Sequence, residues 1–267
     1  MLQEEGCVLI YPSMLSGLFK LRLVLFLMAL SLVLSGCSLF KKQEKVVLTP
    51  EKLYSLASDE YKENNYSKAR DYFTRLKEEY PLHEMAILAE IGIADSFYSD
   101  KEYAEAENAY RDFISMHPVN ENVPYAIYQM GMCSYHQIEA IDRDQSETIK
   151  ARKEWEKLIS RYPQSKFSPL AATKLKEVKQ RLAQREFYVG KFYLKKKKYQ
   201  AALSRFETIA REYPDSGFDD KIKNHITETK AKIAEEEKEK LKKEAKKKKK
   251  EQQTLSSEEE KKKEEPK

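Results

Sequence analysis

The chain has 267 residues, 41% hydrophobic and 35% charged, and its 49 basic and 44 acidic residues leave a net charge of only +5. That apolar content can fill a core, while charge of both signs describes solvated helix faces and excludes the one-signed footprint of a nucleic-acid binder. With 7 Gly and 9 Pro the chain is too poor in turn formers for an all-β fold, and it suits long helices.

The N-terminus reads as an address. Lys20 and Arg22 precede an apolar run over residues 23–34. A run of about 12 residues is too short for a bilayer-spanning helix, which needs roughly 20, and fits the apolar region of a signal peptide. It ends in Leu34-Ser35-Gly36-Cys37, which resembles the lipobox of bacterial lipoproteins. Small residues there let the chain lie extended in a peptidase cleft, and the Cys37 thiol is the nucleophile that takes a diacylglycerol. After cleavage Cys37 becomes the first residue, acylated on sulfur and amine with palmitate-type chains, and two or more such chains anchor a protein stably. Ser38, not Asp, follows the cysteine, which resembles the signal for transfer to the outer membrane. Residues 1–36 are thus expected to be the leader, with Met14 a second candidate start, and residues 37–49 a lipidated linker. Cys7 and Cys37 being so assigned, Cys133 has no partner for a disulfide, and its apolar helical setting marks a small core residue.

Repeats organise the next segment. DYFTRLKEEYP, AYRDFISMHP, EWEKLISRYP and RFETIAREYP end at Pro81, Pro118, Pro163 and Pro214. Each is amphipathic at helical spacing and stops at proline, which cannot continue a helix. Each resembles the second helix of a tetratricopeptide repeat, in which a small residue at position 8 packs on alanine at position 20 and proline closes the unit at position 32. Ala57, Ala69 and Pro81 keep that spacing, as do Ala94, Ala106 and Pro118, and Gly190, Ala202 and Pro214. The aromatic at position 24 is Phe73, Tyr110 and Phe206 in turn. The third repeat keeps Ala151, Trp155 and Pro163, but its Gly131 lies too early, so a loop around residues 141–145 is inserted between its helices. A long helix is expected from Pro169 to Leu194, and a final one from Asp219 to Ala234 to cover the last repeat. The fold class is all-α, a tetratricopeptide solenoid of about five helix pairs over residues 50–234. Residues 235–267 form a Lys/Glu-rich tail, helical at first through Glu–Lys pairs and disordered after about Gln252.

In such repeats the first helix lines the concave face at positions 2, 5, 9, 12 and 13. That register puts Tyr54 and Tyr61 on the face from the first repeat, Tyr98 from the second, and Tyr125, Tyr128 and Tyr135 from the third. Tyrosines bury apolar area at small entropic cost and offer hydroxyls to exposed backbone, so the trough suits an extended peptide. Rings packed inside the solenoid are the competing reading.

A lipobox followed by these repeats, with D-R-D in the third insertion, resembles the BamD family. The more specific stretch is RYPQSKF (161–167), ATKL (172–175), RLA (181–183), EFYVGKFY (186–193) and REYPDS (211–216). The resemblance covers residues 53–216 and implies a lipoprotein of the machine that inserts β-barrels into the outer membrane, anchored by its acyl chains on the periplasmic face. It implies binding to a BamA-like barrel protein, to other Bam lipoproteins and to unfolded outer membrane proteins. It also matches Arg205 to the arginine that helps hold the last periplasmic domain of BamA. Here the insertion is shorter than in enteric members, and the Lys/Glu tail replaces their C-terminal ending. A tetratricopeptide lipoprotein that recruits peptidoglycan hydrolases is the alternative. His83, His117, His136 and His225 share no motif, and no ligand spacing, phosphate loop or nucleophile elbow appears. No enzyme activity, cofactor or metal is therefore expected.

Overall fold

The computed structural model describes residues 21–25 and 47–263, Asp215 excepted, with side chains to Thr254. The chain divides into two compact units, residues 1–48 and 49–267. Residues 21–25 of the first are helical, and the cleavage box with Cys37 lies outside the described residues. No helix among the described residues is long and apolar enough to cross a membrane.

The second unit is a series of helices. They are α1 (Pro50–Lys62), α2 (Tyr66–Glu79), α3 (Glu84–Ser99), α4 (Tyr103–Met116), α5 (Val123–His136), α6 (Ser146–Arg161), α7 (Ser168–Lys195), α8 (Tyr199–Glu212) and α9 (Asp219–Lys263). Each packs mainly on the helix before and the helix after it, which is the one-dimensional pattern of a solenoid. The expected long helix is α7. The inserted loop is the stretch between α5 and α6, where Gln145 donates to the carbonyls of Ala140 and Arg143. The final helix runs on to Lys263, past Gln252 where the sequence reading places the onset of disorder. Pairs Glu228–Lys232, Glu236–Lys240, Glu239–Lys243 and Lys247–Glu251 lace its exposed side.

The small-residue spacing is the packing. Ala57, Ala69, Ala94, Ala106, Ala151 and Ala202 are all fully buried. Without bulk at those points two helices approach closely, and an aromatic ring fills the space beside them. Phe206 lies over Gly190, where a β-carbon would sit 2.6 Å from the ring, and Trp155 lies against Gly131 in the same way. Phe73 also packs on Gly92 of the following repeat, 2.6 Å from a β-carbon there, and so joins two repeats.

The turns repeat as closely as the helices. Tyr80, His117, Tyr162 and Tyr213, each before a closing proline, share one backbone conformation, with φ of −135°, −127°, −130° and −130°. Between the first and second helices of three repeats, Asn64, Lys101 and Lys197 have φ of 63°, 65° and 58°. All three occupy the same repeat position, and the two amides that follow each helix end there bond back to its last turn, as in Lys101 N–H to Tyr98 O and Glu102 N–H to Phe97 O. A left-handed conformation strains any residue with a β-carbon. Lys101→Gly should therefore raise stability by about 0.5–1 kcal/mol, read as a higher urea midpoint at unchanged slope. A lower midpoint would mean that the lysine stem contributes more than the strain removes.

Candidate functional site

Three elements of the first three repeats enclose an open groove of about 740 Å³. Helix α1 contributes Tyr54, Ser58 and Tyr61, α3 contributes Leu88, Ile91 and Asp95, and α5 contributes Tyr125, with Lys166 and Phe167 from the α6–α7 turn completing the wall. Positions one helical turn apart share a face, which is why 54, 58 and 61 all reach it, as do 88, 91 and 95. Tyr54 meets Phe73 edge-on at 5.7 Å, and Tyr61 meets Tyr66 at 5.4 Å. The Tyr61 hydroxyl lies 2.6 Å from Ser99 Oγ. The rings are half-buried and fixed at one edge, with the rest facing the groove.

Of the six tyrosines placed on the concave face by register, the structure gathers Tyr54, Tyr61 and Tyr125 here. Tyr98 is held away, against Tyr103 edge-on and 2.8 Å from His136 Nε2, and burial pushes its hydroxyl up to about 12. Tyr128 stacks on Phe167 at 5.9 Å beside Trp155. The Tyr135 hydroxyl donates to Glu177 at 2.7 Å, under the Lys174 ammonium, and lines a smaller pocket of about 370 Å³ with Arg181.

Asp95, on the floor of the groove, is the residue that the sequence reading passed over, although it stands at position 9 of the second repeat. Its Oδ1 accepts from Tyr110 at 2.5 Å and from Tyr125 at 2.8 Å. Burial raises its carboxyl above the ordinary aspartate value, and the two hydroxyls only partly offset this. The same burial, with the nearby carboxylate, raises both tyrosines. A carboxylate in an apolar floor orients Tyr125 and leaves negative charge under the groove.

A carboxyl raised on folding stabilises the native state below its unfolded value, and that contribution is lost as pH climbs through the folded one. At neutral pH ionised Asp95 thus opposes folding. Asp95→Asn should raise the melting temperature at pH 7, with the gain shrinking as pH falls toward the ordinary carboxylate range. A loss at pH 7 would show that the charge-assisted bonds outweigh desolvation.

Arg205 lies on α8, half-exposed, and its Nη1 donates to Glu186 Oε2 at 3.1 Å. It is therefore neither buried nor freely solvated. Its guanidinium retains further N–H donors for another carboxylate. Cys133 is fully buried, and burial pushes its thiol up to about 12, so it is a packing residue with little thiolate.

Residues 47–241 match the family model YfiO, described as an outer membrane lipoprotein. The chain is 32% identical over 192 residues to the outer membrane protein assembly factor BamD of Rickettsia prowazekii, covering 72% of this chain and 76% of that one. It is 30% identical over 182 residues to the protein of the same name from Caulobacter vibrioides, covering 67% of this chain and 60% of that one. Among solved structures, the TPR2AB domain of yeast Sti1 in its pHSP90 complex aligns at 16% identity and a TM-score of 0.40, over 69% of this chain and 70% of that one.

Proposed function

Because the chain belongs to the YfiO outer membrane lipoprotein family, whose relatives are named BamD assembly factors, we propose that it is the scaffold that receives unfolded β-barrel proteins and holds them beside a BamA-like barrel. It is tethered through acyl chains on Cys37 to the periplasmic face of the outer membrane. The observation that carries the reading is the groove of Tyr54, Tyr61 and Tyr125 over Asp95. A strand that has not yet joined a barrel is extended, rich in aromatic side chains and unpaired along its backbone. Aromatic walls bury such side chains, and hydroxyls at their edges pair with the free backbone groups. Exposed Lys166 supplies positive charge for a terminal carboxylate.

Arg205 is the proposed contact to the barrel protein. In the free chain Glu186 holds the guanidinium in place, so little side-chain freedom is lost on docking. Detergent pull-down of the full chain from membranes should recover a BamA-like barrel in roughly equal amount. Arg205→Glu sets two carboxylates together and should cut that recovery at least about tenfold, whereas Glu186→Gln should leave it nearly unchanged. Recovery of peptidoglycan hydrolases with no barrel protein would overturn the reading in favour of a cell-wall adaptor.

A further inference from the structure

The C-terminal end of α7 carries a surface that the groove and Arg205 do not use. Tyr188 and Phe192 are 55% and 52% exposed, unusual for rings of that size. They stand four residues apart, and Lys195 and Lys196 continue the same face one turn on, with Lys191 beside them. Lys195, Lys196, Lys197 and Lys198 then follow without interruption into the α7–α8 turn, all exposed. The described carboxylates of the same repeat are engaged elsewhere: Glu186 with Arg205, Glu207 with Lys230, and Glu212 with Arg211. Among the described residues the four consecutive lysines form no ion pair, and the Lys196 ammonium lies 6.0 Å from the Phe192 ring centre.

Exposed lysines on a solvated helix are ordinary, as α9 shows: Lys232, Lys240 and Lys243 each find a glutamate, and the exposed lysine run at 246–250 has no aromatic residue within it. Here unneutralised positive charge is concentrated at one corner beside two bare aromatic rings. Aromatic side chains settle at the headgroup level of a bilayer, where one edge is apolar and the other wet. Lysines beside them are drawn to anionic headgroups within a Debye length. Either feature alone is weak, but together they have the composition of an interfacial membrane contact.

We propose that Tyr188, Phe192 and the lysines at 195–198 dock on an anionic lipid surface, as a second membrane contact besides the acyl anchor. The inference rests on the membrane placement proposed above and adds an orientation to it. A second contact fixes one end of the fourth repeat at the headgroups. Anionic phospholipid is the occupant that the charge favours.

The test uses the full chain floated with vesicles of neutral phosphatidylcholine, or of the same lipid with about one third phosphatidylglycerol. A water-soluble amine-acylating reagent labels the lysines, and mass spectrometry reads each site together with the acylation state of Cys37. On anionic vesicles labelling at 195–198 should slow at least about threefold, while Lys101, in the equivalent turn of the second repeat, should not change. Phe192→Ser combined with Lys195→Gln, Lys196→Gln and Lys198→Gln should abolish the difference. Equal labelling on both vesicles overturns the proposal, as does protection that appears only when a barrel protein is added, which would make the corner a protein-docking surface. A chain that floats with neither vesicle overturns both the patch and the membrane placement. Protected lysines with an unacylated Cys37 keep the patch and refute the anchor.

Discussion

Trp155→Ala should cost about 3–5 kcal/mol and leave the third repeat the least stable part of the solenoid. The indole is fully buried, lies against Gly131, and donates its N–H to the Tyr128 carbonyl at 3.2 Å. Removing it opens a cavity lined by α5 and α6 and deletes the side-chain hydrogen bond that the Tyr128 carbonyl accepts beside its helical one, so the packing loss and the polar loss add. The reverse experiment is as informative. Gly131→Val brings a branched side chain into the space of the ring, and overpacking of this kind costs about 1–3 kcal/mol or more. Both effects would appear in urea unfolding, with hydrogen exchange accelerated first in α5 and α6. A midpoint within error of the parent for either variant would show that the ring does not close the helix pair.

Tyr54→Ala combined with Tyr61→Ala should weaken binding of a barrel's C-terminal strand peptide about a hundredfold, as expected for two aromatic anchors in one groove. Both rings face the groove and their loss leaves the buried alanines of the first repeat in place. The melting temperature should fall far less than for Trp155→Ala, and fluorescence anisotropy of the labelled peptide would read the affinity. Tyr128→Ala is the matched comparison. Its ring stacks on Phe167 beside Trp155, so it should lower stability and leave peptide affinity within about threefold of the parent. If Tyr128→Ala weakens the peptide as much as the α1 pair, the binding face is not the groove.

The contrast between Tyr54 and Tyr128 marks how far the sequence carries. Alanine at matched intervals, closing prolines and an aromatic four residues past each second alanine are local signals, set by how closely two helices can approach. They located the helix pairs, the insertion before α6 and the long α7. Tyrosine register pointed to α1, α3 and α5, the helices that line the groove, but could not separate rings that face it from rings that neighbouring repeats cover. Tyr128 is covered by Phe167, which lies 39 residues on, and Tyr135 is drawn to Glu177 on α7. Register puts Asp95 on the same face, at position 9, but does not reveal its role. It is one acid among 44, and only the meeting of α3, α4 and α5 brings Tyr110 and Tyr125 to it. Phe73 on Gly92 was missed because that contact crosses from one repeat to the next. The length of α9 lies in charge, not in burial: residues 234–254 are exposed throughout, and paired glutamates and lysines sustain the helix there where an apolar face is lacking.

The most direct test places a photoreactive phenylalanine at position 61, and separately at exposed position 111 on α4, and irradiates each full-length protein with the C-terminal strand peptide of an outer membrane β-barrel. Adduct at position 61, displaced by excess unlabelled peptide and absent at position 111, is the expected result. Equal adduct at both positions, or none at position 61 while the peptide still binds, would contradict the assignment of the tyrosine groove as the receiving surface.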